Sequence, residues 1–166
     1  MEAARFEVDQ SRCIAQQGNF AGKAEVTLNV FFDSSALAKR YVEEKGSERV
    51  QAILSSASTL AVSVICIPEI VSALYRRRRE RKLSTEEYQN AKASLLSDID
   101  DATIIGVTQE VIAQAVALLE QFSLRGADAL HVACASEWST DLFVSADNRQ
   151  CAAARAHGLR IEAIRG

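Results

Sequence analysis

Proline is nearly absent from this chain, with one residue in 166, and glycine is sparse at seven. No Pro/Gly-rich linker therefore divides it, and the length suits one domain with a core of its own. Four cysteines (Cys13, Cys66, Cys134, Cys151) are scattered without a C-x-x-C pair. That excludes a zinc ribbon and a disulfide framework and fits a reducing, cytoplasmic setting. No apolar run approaches membrane length, so no membrane association is expected. The N-terminal residues "MEAARFEVDQSRCIAQQGNF" carry acids and no long apolar stretch, unlike a signal peptide. Charge of one sign is lacking too: a net charge of −3 argues against a bulk polyanion binder and leaves room for a local basic patch.

What is present alternates. "LNVFF" (28–32), "TLAVSVI" (59–65), "TIIGV" (103–107) and "LFVSA" (142–146) are short, apolar and rich in β-branched residues, hence buried strands. "RIEAI" is a final edge strand. Between them lie helical segments: "SALAKRYV", "SERVQAILSSA" after Gly46, "PEIVSALYRRRRERK" with Pro68 in its first turn, and "STEEYQNAKASLLSDI". Ser84 and Glu87 have the spacing of a capping box. "TQEVIAQAVALLEQF" is capped by Thr108. "GADALHVACASEW" is apolar almost all round and so central. "DNRQCAAARAHG" ends at Gly158. Strands alternating with helices predict an α/β domain, a mostly parallel central sheet with helices on both faces.

In such a sheet the site lies beyond the carboxyl ends of the strands, and this sorts the acids. Asp33 follows the first strand, Asp147 the fourth, and Glu69 the second. Asp128 sits in the first turn of the central helix. Asp98, Asp100, Asp101 and Asp141 precede strands and belong at the opposite edge. At about 3.3 Å per residue, Asp141 should lie on the order of 20 Å from Asp147. Converging carboxylates repel unless a cation joins them, and oxygen-only ligands suit Mg²⁺ or Mn²⁺. Such a centre supports phosphodiester hydrolysis.

Each acid also has a plainer role. Asp33 and Asp147 could cap helices, and Glu69 and Asp128 could favour helix N-termini. Ser35 could touch substrate or hydrogen-bond locally, and His131 is expected to be a packed helix histidine. The run "RRRRERK" could be a solvated helix end, or Arg76, Arg77, Arg78 and Arg79 could hold RNA phosphates or acidic protein groups. Helical spacing lets only some of them face the site.

"NVFFDSSALAKRYVEEKGSE", "PEIVSALYRRRRERKLS", "LRGADALHVACA" and "FVSADNRQCAAARAHGLRI" together resemble the four acidic motifs of PIN domains, as found in VapC-type toxins of VapBC toxin–antitoxin modules. The resemblance spans roughly residues 28–164. It implies a metal-dependent endoribonuclease acting on RNA, inhibited by a cognate antitoxin and dimeric. It assigns Asp33, Glu69, Asp128 and Asp147 to the catalytic metal site, with Ser35 beside the first acid. Residues 1–27 fall outside the pattern and are expected to be a disordered or non-catalytic N-terminal extension, and 28–166 form the domain. Within the resemblance, an RNA-processing nuclease without an antitoxin and a non-catalytic RNA- or protein-binding module stay open. Other small α/β classes fit worse. A receiver domain needs paired acids after the first strand and a late lysine. A haloacid-dehalogenase-type phosphatase needs an acid where Ser35 stands. A Rossmann module needs G-x-G-x-x-G.

Overall fold

The computed structural model describes residues 27–165. The extension at 1–27 therefore lies, but for its last residue, outside the described residues. Five strands form one sheet: β1 (Asn29–Phe32), β2 (Thr59–Ser63), β3 (Thr103–Ile105), β4 (Leu142–Ser145) and β5 (Ile161–Ala163). Their order is β3-β2-β1-β4-β5, and all four pairings are parallel. Seven α-helices are described: α1 (Ser34–Leu37), α2 (Ser47–Ser56), α3 (Cys66–Arg79), α4 (Thr85–Asp100), α5 (Gln109–Gln121), α6 (Gly126–Glu137) and α7 (Asn148–Ala156).

Strand alternation divides the core in two. Val30, Phe32, Val62, Leu142 and Val144 point to one face and pack with residues of α1 to α4, among them Leu37, Val50, Ile70, Leu74 and Leu95. Phe31, Ala61 and Phe143 point to the other and pack with Val111, Leu118, Val132 and Ala133 of α5 and α6. The rings of Phe31 and Phe143 stack across β1 and β4 at 5.9 Å. Burying each such ring stabilises the fold by roughly 1.5–3 kcal/mol.

The same alternation makes a polar row. Phe31 is in register with Ala61 and with Phe143. Two residues on along each strand, on the same face, stand Asp33, Ser63 and Ser145, all fully buried. The apolar face thus ends at the carboxyl edge in three groups that need hydrogen bonds. Because the strand order reverses direction between β1 and β4, this edge is also the switch point where open parallel sheets bind ligands.

Several boundaries differ from the sequence expectation. "SALAKRYV" is not one helix: α1 is a single turn, followed by a 3₁₀ turn at Ala38–Arg40. The Ser47 hydroxyl donates to the Lys39 carbonyl at 2.7 Å and accepts from the Glu44 amide at 3.0 Å, which closes the segment into a turn. Gly46 is required there. Its φ is +99°, and a Cβ would meet Ile164 Cγ2 at 2.6 Å. Strand β2 stops at Ser63, not Ile65, and α3 runs from Cys66 to Arg79. The capping box of Ser84 and Glu87 and the Thr108 cap are present as expected.

Candidate metal-dependent nuclease site

A cleft of about 530 Å³ opens at the carboxyl edge of β1 and β4. Asp33, Glu69, Asp128 and Asp147 all line it, with Ser34, Ser35, Arg76, Arg125 and Gln150. The four acids singled out from the sequence therefore border one cleft, although the chain spreads them over more than a hundred positions.

Asp33 is the most enclosed. Its amide still donates to Val144 O at 3.0 Å, so the β1–β4 pairing carries it to the edge. Its carboxylate then accepts from the Ala36 amide at 2.9 Å, from Ser35 Oγ at 2.8 Å and from Ser145 Oγ at 2.9 Å. Asp33 is thus a helix cap and a cleft residue at once. Burial pushes its carboxyl above the usual range, against the nearby His131 and these hydrogen bonds, which favour the charged form.

Glu69, in the first turn of α3, is gripped from two sides. Ser34 Oγ donates to its Oε2 at 2.7 Å, and His131 Nε2 lies 2.7 Å from the same oxygen. These contacts, the histidine first, hold its carboxyl below the usual range despite partial burial. His131 is buried on α6, and its Nδ1 is 2.9 Å from Ser63 Oγ. The expected packed histidine is therefore also the link between the sheet's polar row and the second acid.

Asp128 occupies the third position of α6. Its Oδ2 accepts from the Arg125 amide at 3.2 Å and its Oδ1 from Gln150 Nε2 at 3.0 Å. Asp147 caps α7 through Oδ1, which accepts from the Arg149 and Gln150 amides at 2.7 and 3.1 Å. Its own amide donates to Ser145 Oγ at 3.0 Å, so Ser145 joins the first and fourth acids. Ser35 is occupied locally: it donates to Asp33 and accepts from the Ala146 amide at 2.9 Å.

The arginine run divides. Arg76 lines the cleft. Arg77 pairs with Glu44. Arg78 and Arg79 line a separate cleft at the α3–α4 turn. Asp98 and Asp141 stay away from the site, as expected. Asp98 binds Arg40 and Tyr41, and Asp141 Oδ2 accepts from the Asn29 amide at 2.8 Å, at the start of β1.

Sequence reading missed Ser34, Ser145, Gln150 and Arg125. Ser145 and Ser34 adjoin the motif acids, and a polar residue closing an apolar strand is a readable signal. Gln150 gave none, because its role depends on how α7 packs beside α6.

Among the described residues, no three carboxylate, imidazole or thiol groups converge closely enough to enclose an ion as placed. Each acid is instead held by its own donors. The donor set nevertheless fits a hard divalent cation. It consists of carboxylate oxygens, and Gln150 Oε1 adds a buried amide oxygen without a hydrogen-bond partner. The buried Asp33 carboxylate also lacks a lysine or arginine partner among the described residues, which a cation would supply.

An all-parallel five-stranded sheet with an acidic cleft at its switch point is the architecture of a PIN-type nuclease. The PIN domain family model matches residues 30–156, and the chain belongs to that family. Ribonuclease VapC45 of Mycobacterium tuberculosis (strain CDC 1551 / Oshkosh) is 30% identical over 134 residues, covering 80% of this chain and 93% of the relative. Ribonuclease VapC49 of Mycobacterium tuberculosis (strain ATCC 25618 / H37Rv) matches to the same extent, 30% over 134 residues. Among solved structures, VapC20 of Mycobacterium tuberculosis, a sarcin-ricin loop cleaving toxin, superposes with a TM-score of 0.60 at 19% identity, covering 75% of this chain and 94% of its own. DNA-bound VapBC from Salmonella typhimurium gives 0.58 at 12%, covering 82% and 98%. At these identities the two structures speak for the fold.

Proposed function

We propose that this chain is an endoribonuclease, the toxin of a type II toxin–antitoxin module, hydrolysing RNA phosphodiester bonds with Mg²⁺ or Mn²⁺ in the carboxyl-edge cleft. The observation that carries this reading is the meeting of Asp33, Glu69, Asp128 and Asp147 in one cleft. It is supported by membership of the PIN domain family and by the two relatives named ribonuclease VapC.

Asp33, Glu69, Asp128 and Asp147 would hold the ion. When bound, it makes a water molecule more acidic and offsets charge developing on the scissile phosphate. The rest falls to the chain's own side chains. Ser34 and His131 orient Glu69, and Ser35 and Ser145 orient Asp33. Gln150 fixes Asp128 beside Asp147. Arg76 and Arg125 line the cleft and would offer guanidinium groups to an entering phosphate.

The partners that follow are an RNA substrate, a cognate antitoxin and a second copy of this chain, in the cytoplasm. The described helices include none long and apolar enough to cross a membrane. An antitoxin arginine or lysine occupying the cation's place among the carboxylates would inhibit directly. The test is incubation of purified protein with total RNA in Mg²⁺, in Mn²⁺ and in chelator, with the ends mapped. Cleavage that needs metal and disappears in Asp128→Asn supports the reading. No cleavage by wild type with either metal defeats it.

A further inference from the structure

The α3–α4 turn carries a second, strongly basic cleft that the acidic site does not use. Its volume is about 660 Å³, and Arg78, Arg79, Arg81 and Lys82 line it together with Ser84, Thr85 and Glu87. The segment 76–82 holds six cations and one acid in a chain whose net charge is −3. Among the described residues only Arg77 and Lys82 of these six are in ion pairs, with Glu44 and Glu80. The one acid in the cleft, Glu87, is turned back onto the Ser84 amide at 2.7 Å. Glu80 is shared among Lys82, Arg76 and Arg79, so the patch keeps a large positive excess, which calls for a polyanion.

Two further observations narrow the ligand. Tyr75 is 44% exposed, with the guanidinium carbons of two cleft residues, Arg78 and Arg79, over its ring at 5.4 and 6.0 Å from the centroid. The rings of Tyr75 and Tyr88 also meet edge-on at 5.6 Å. A half-exposed ring with guanidinium groups over it offers aromatic and guanidinium planes on which an unpaired base can stack. Then there is Arg81. Helix α3 closes with the Lys82 amide on Arg77 O at 2.9 Å and the Arg81 amide on Arg78 O at 3.0 Å. This closure needs a left-handed residue, and glycine is the unstrained choice. Here it is arginine, at φ +58°. The chain accepts backbone strain and gains one more cation at the cleft.

The two clefts lie along one helix. Arg76 lines the acidic one and Arg79, three residues on and so on the same side of α3, lines the basic one. From Glu69 to Arg79 the helix rises about 15 Å. We infer that Tyr75, Arg78, Arg79, Arg81 and Lys82 form an exosite for single-stranded RNA, which holds the strand flanking the one in the acidic cleft by base stacking and phosphate contacts. The ribonuclease reading supplies only the identity of the polyanion, and the test is kept apart from cleavage.

That test is equilibrium binding of a labelled single-stranded oligouridylate to the full chain in chelator, over a KCl series. The Arg78→Gln/Arg79→Gln/Lys82→Gln variant should flatten the log–log salt slope by about 0.7 for each phosphate left without its cation, about 2 in all. Tyr75→Leu, which keeps apolar packing on Tyr88, should weaken binding about 5-fold or more with the slope unchanged. Arg81→Gly should weaken binding while its thermal midpoint holds or rises, an opposition that a merely structural arginine does not produce. Failure of wild type to bind overturns the exosite. So does an unchanged slope in the triple variant, or an unchanged affinity in Tyr75→Leu. If a polyglutamate peptide binds here and RNA does not, the surface belongs to an acidic protein and the RNA assignment falls. Variant-sensitive binding without metal-dependent cleavage would leave the exosite standing and remove the nuclease reading, while cleavage with variant-insensitive binding would do the reverse.

Discussion

His131 Nε2 lies 2.7 Å from Glu69 Oε2 while its Nδ1 lies 2.9 Å from Ser63 Oγ, so one buried ring ties an acid of α3 to the last residue of β2. His131→Ala removes two hydrogen bonds and leaves a cavity. It should destabilise the protein by about 2–3 kcal/mol and reduce cleavage, because Glu69 loses its orientation. Urea denaturation and single-turnover cleavage check the pair of effects. His131→Asn, which retains a donor, should recover part of the activity. Equal activity in all three proteins would remove the positioning role.

Glu69→Gln and Asp128→Asn should each fold and lose cleavage by about 100-fold or more, the size of several kcal/mol of transition-state stabilisation. Asp147→Asn should be milder, because Oδ1 serves mainly to cap α7. The rise in thermal midpoint with Mn²⁺ gives an independent reading: it should be present in wild type and reduced in the first two variants.

Asp33 gives a pH signature. Burial holds its folded-state carboxyl above the usual range, whereas in the unfolded chain it ionises near 3.9. At lower pH both states are protonated and nothing is lost. As pH rises from there through the folded value, the unfolded state releases its proton first, so stability falls. Glu69 acts oppositely: its folded carboxyl is depressed, so its contribution is present above the unfolded value and lost as pH falls through the folded one. Without divalent metal, Asp33→Asn should therefore flatten the decline of stability between pH 4 and neutrality. Urea midpoints across that range decide it, and a wild-type decline unchanged in the variant would refute the assignment.

Gln150→Ala removes the amide that holds Asp128 Oδ1 at 3.0 Å. A group that orients a ligating acid is worth about 10–100-fold in metal affinity or activity. Calorimetric Mn²⁺ titration should show weaker binding in this variant. An unchanged dissociation constant would reduce Gln150 to packing.

At the opposite edge, Asp141→Asn should leave cleavage within a few-fold of wild type and cost about 1 kcal/mol of stability through the Asn29 amide it binds. A loss of cleavage matching Asp128→Asn, with folding intact, would contradict the placement of the site.

The sequence by itself determined the class of fold and singled out the four acids that line one cleft. Short β-branched runs between amphipathic segments specify parallel β/α units, because only helices can bridge parallel strands on these lengths. An acid directly after a strand must lie at that strand's carboxyl edge, which brought out Asp33 and Asp147 and excluded Asp141. Tertiary structure decided what each acid touches. The register of β1 against β2 and β4 places Asp33 beside Ser63 and Ser145, and no local pattern encodes register between strands that are distant in the chain. The packing of α6 over the sheet turned His131 from a packed helix residue into the partner of Glu69 and Ser63. The arginine run shows the same division. Its charge was legible, but helical phase and the turn after Arg79 sent Arg76 to the acidic cleft, Arg77 to Glu44 and Arg78 and Arg79 to a cleft of their own. Side-chain direction around a helix axis acquires meaning only once its neighbours are in place.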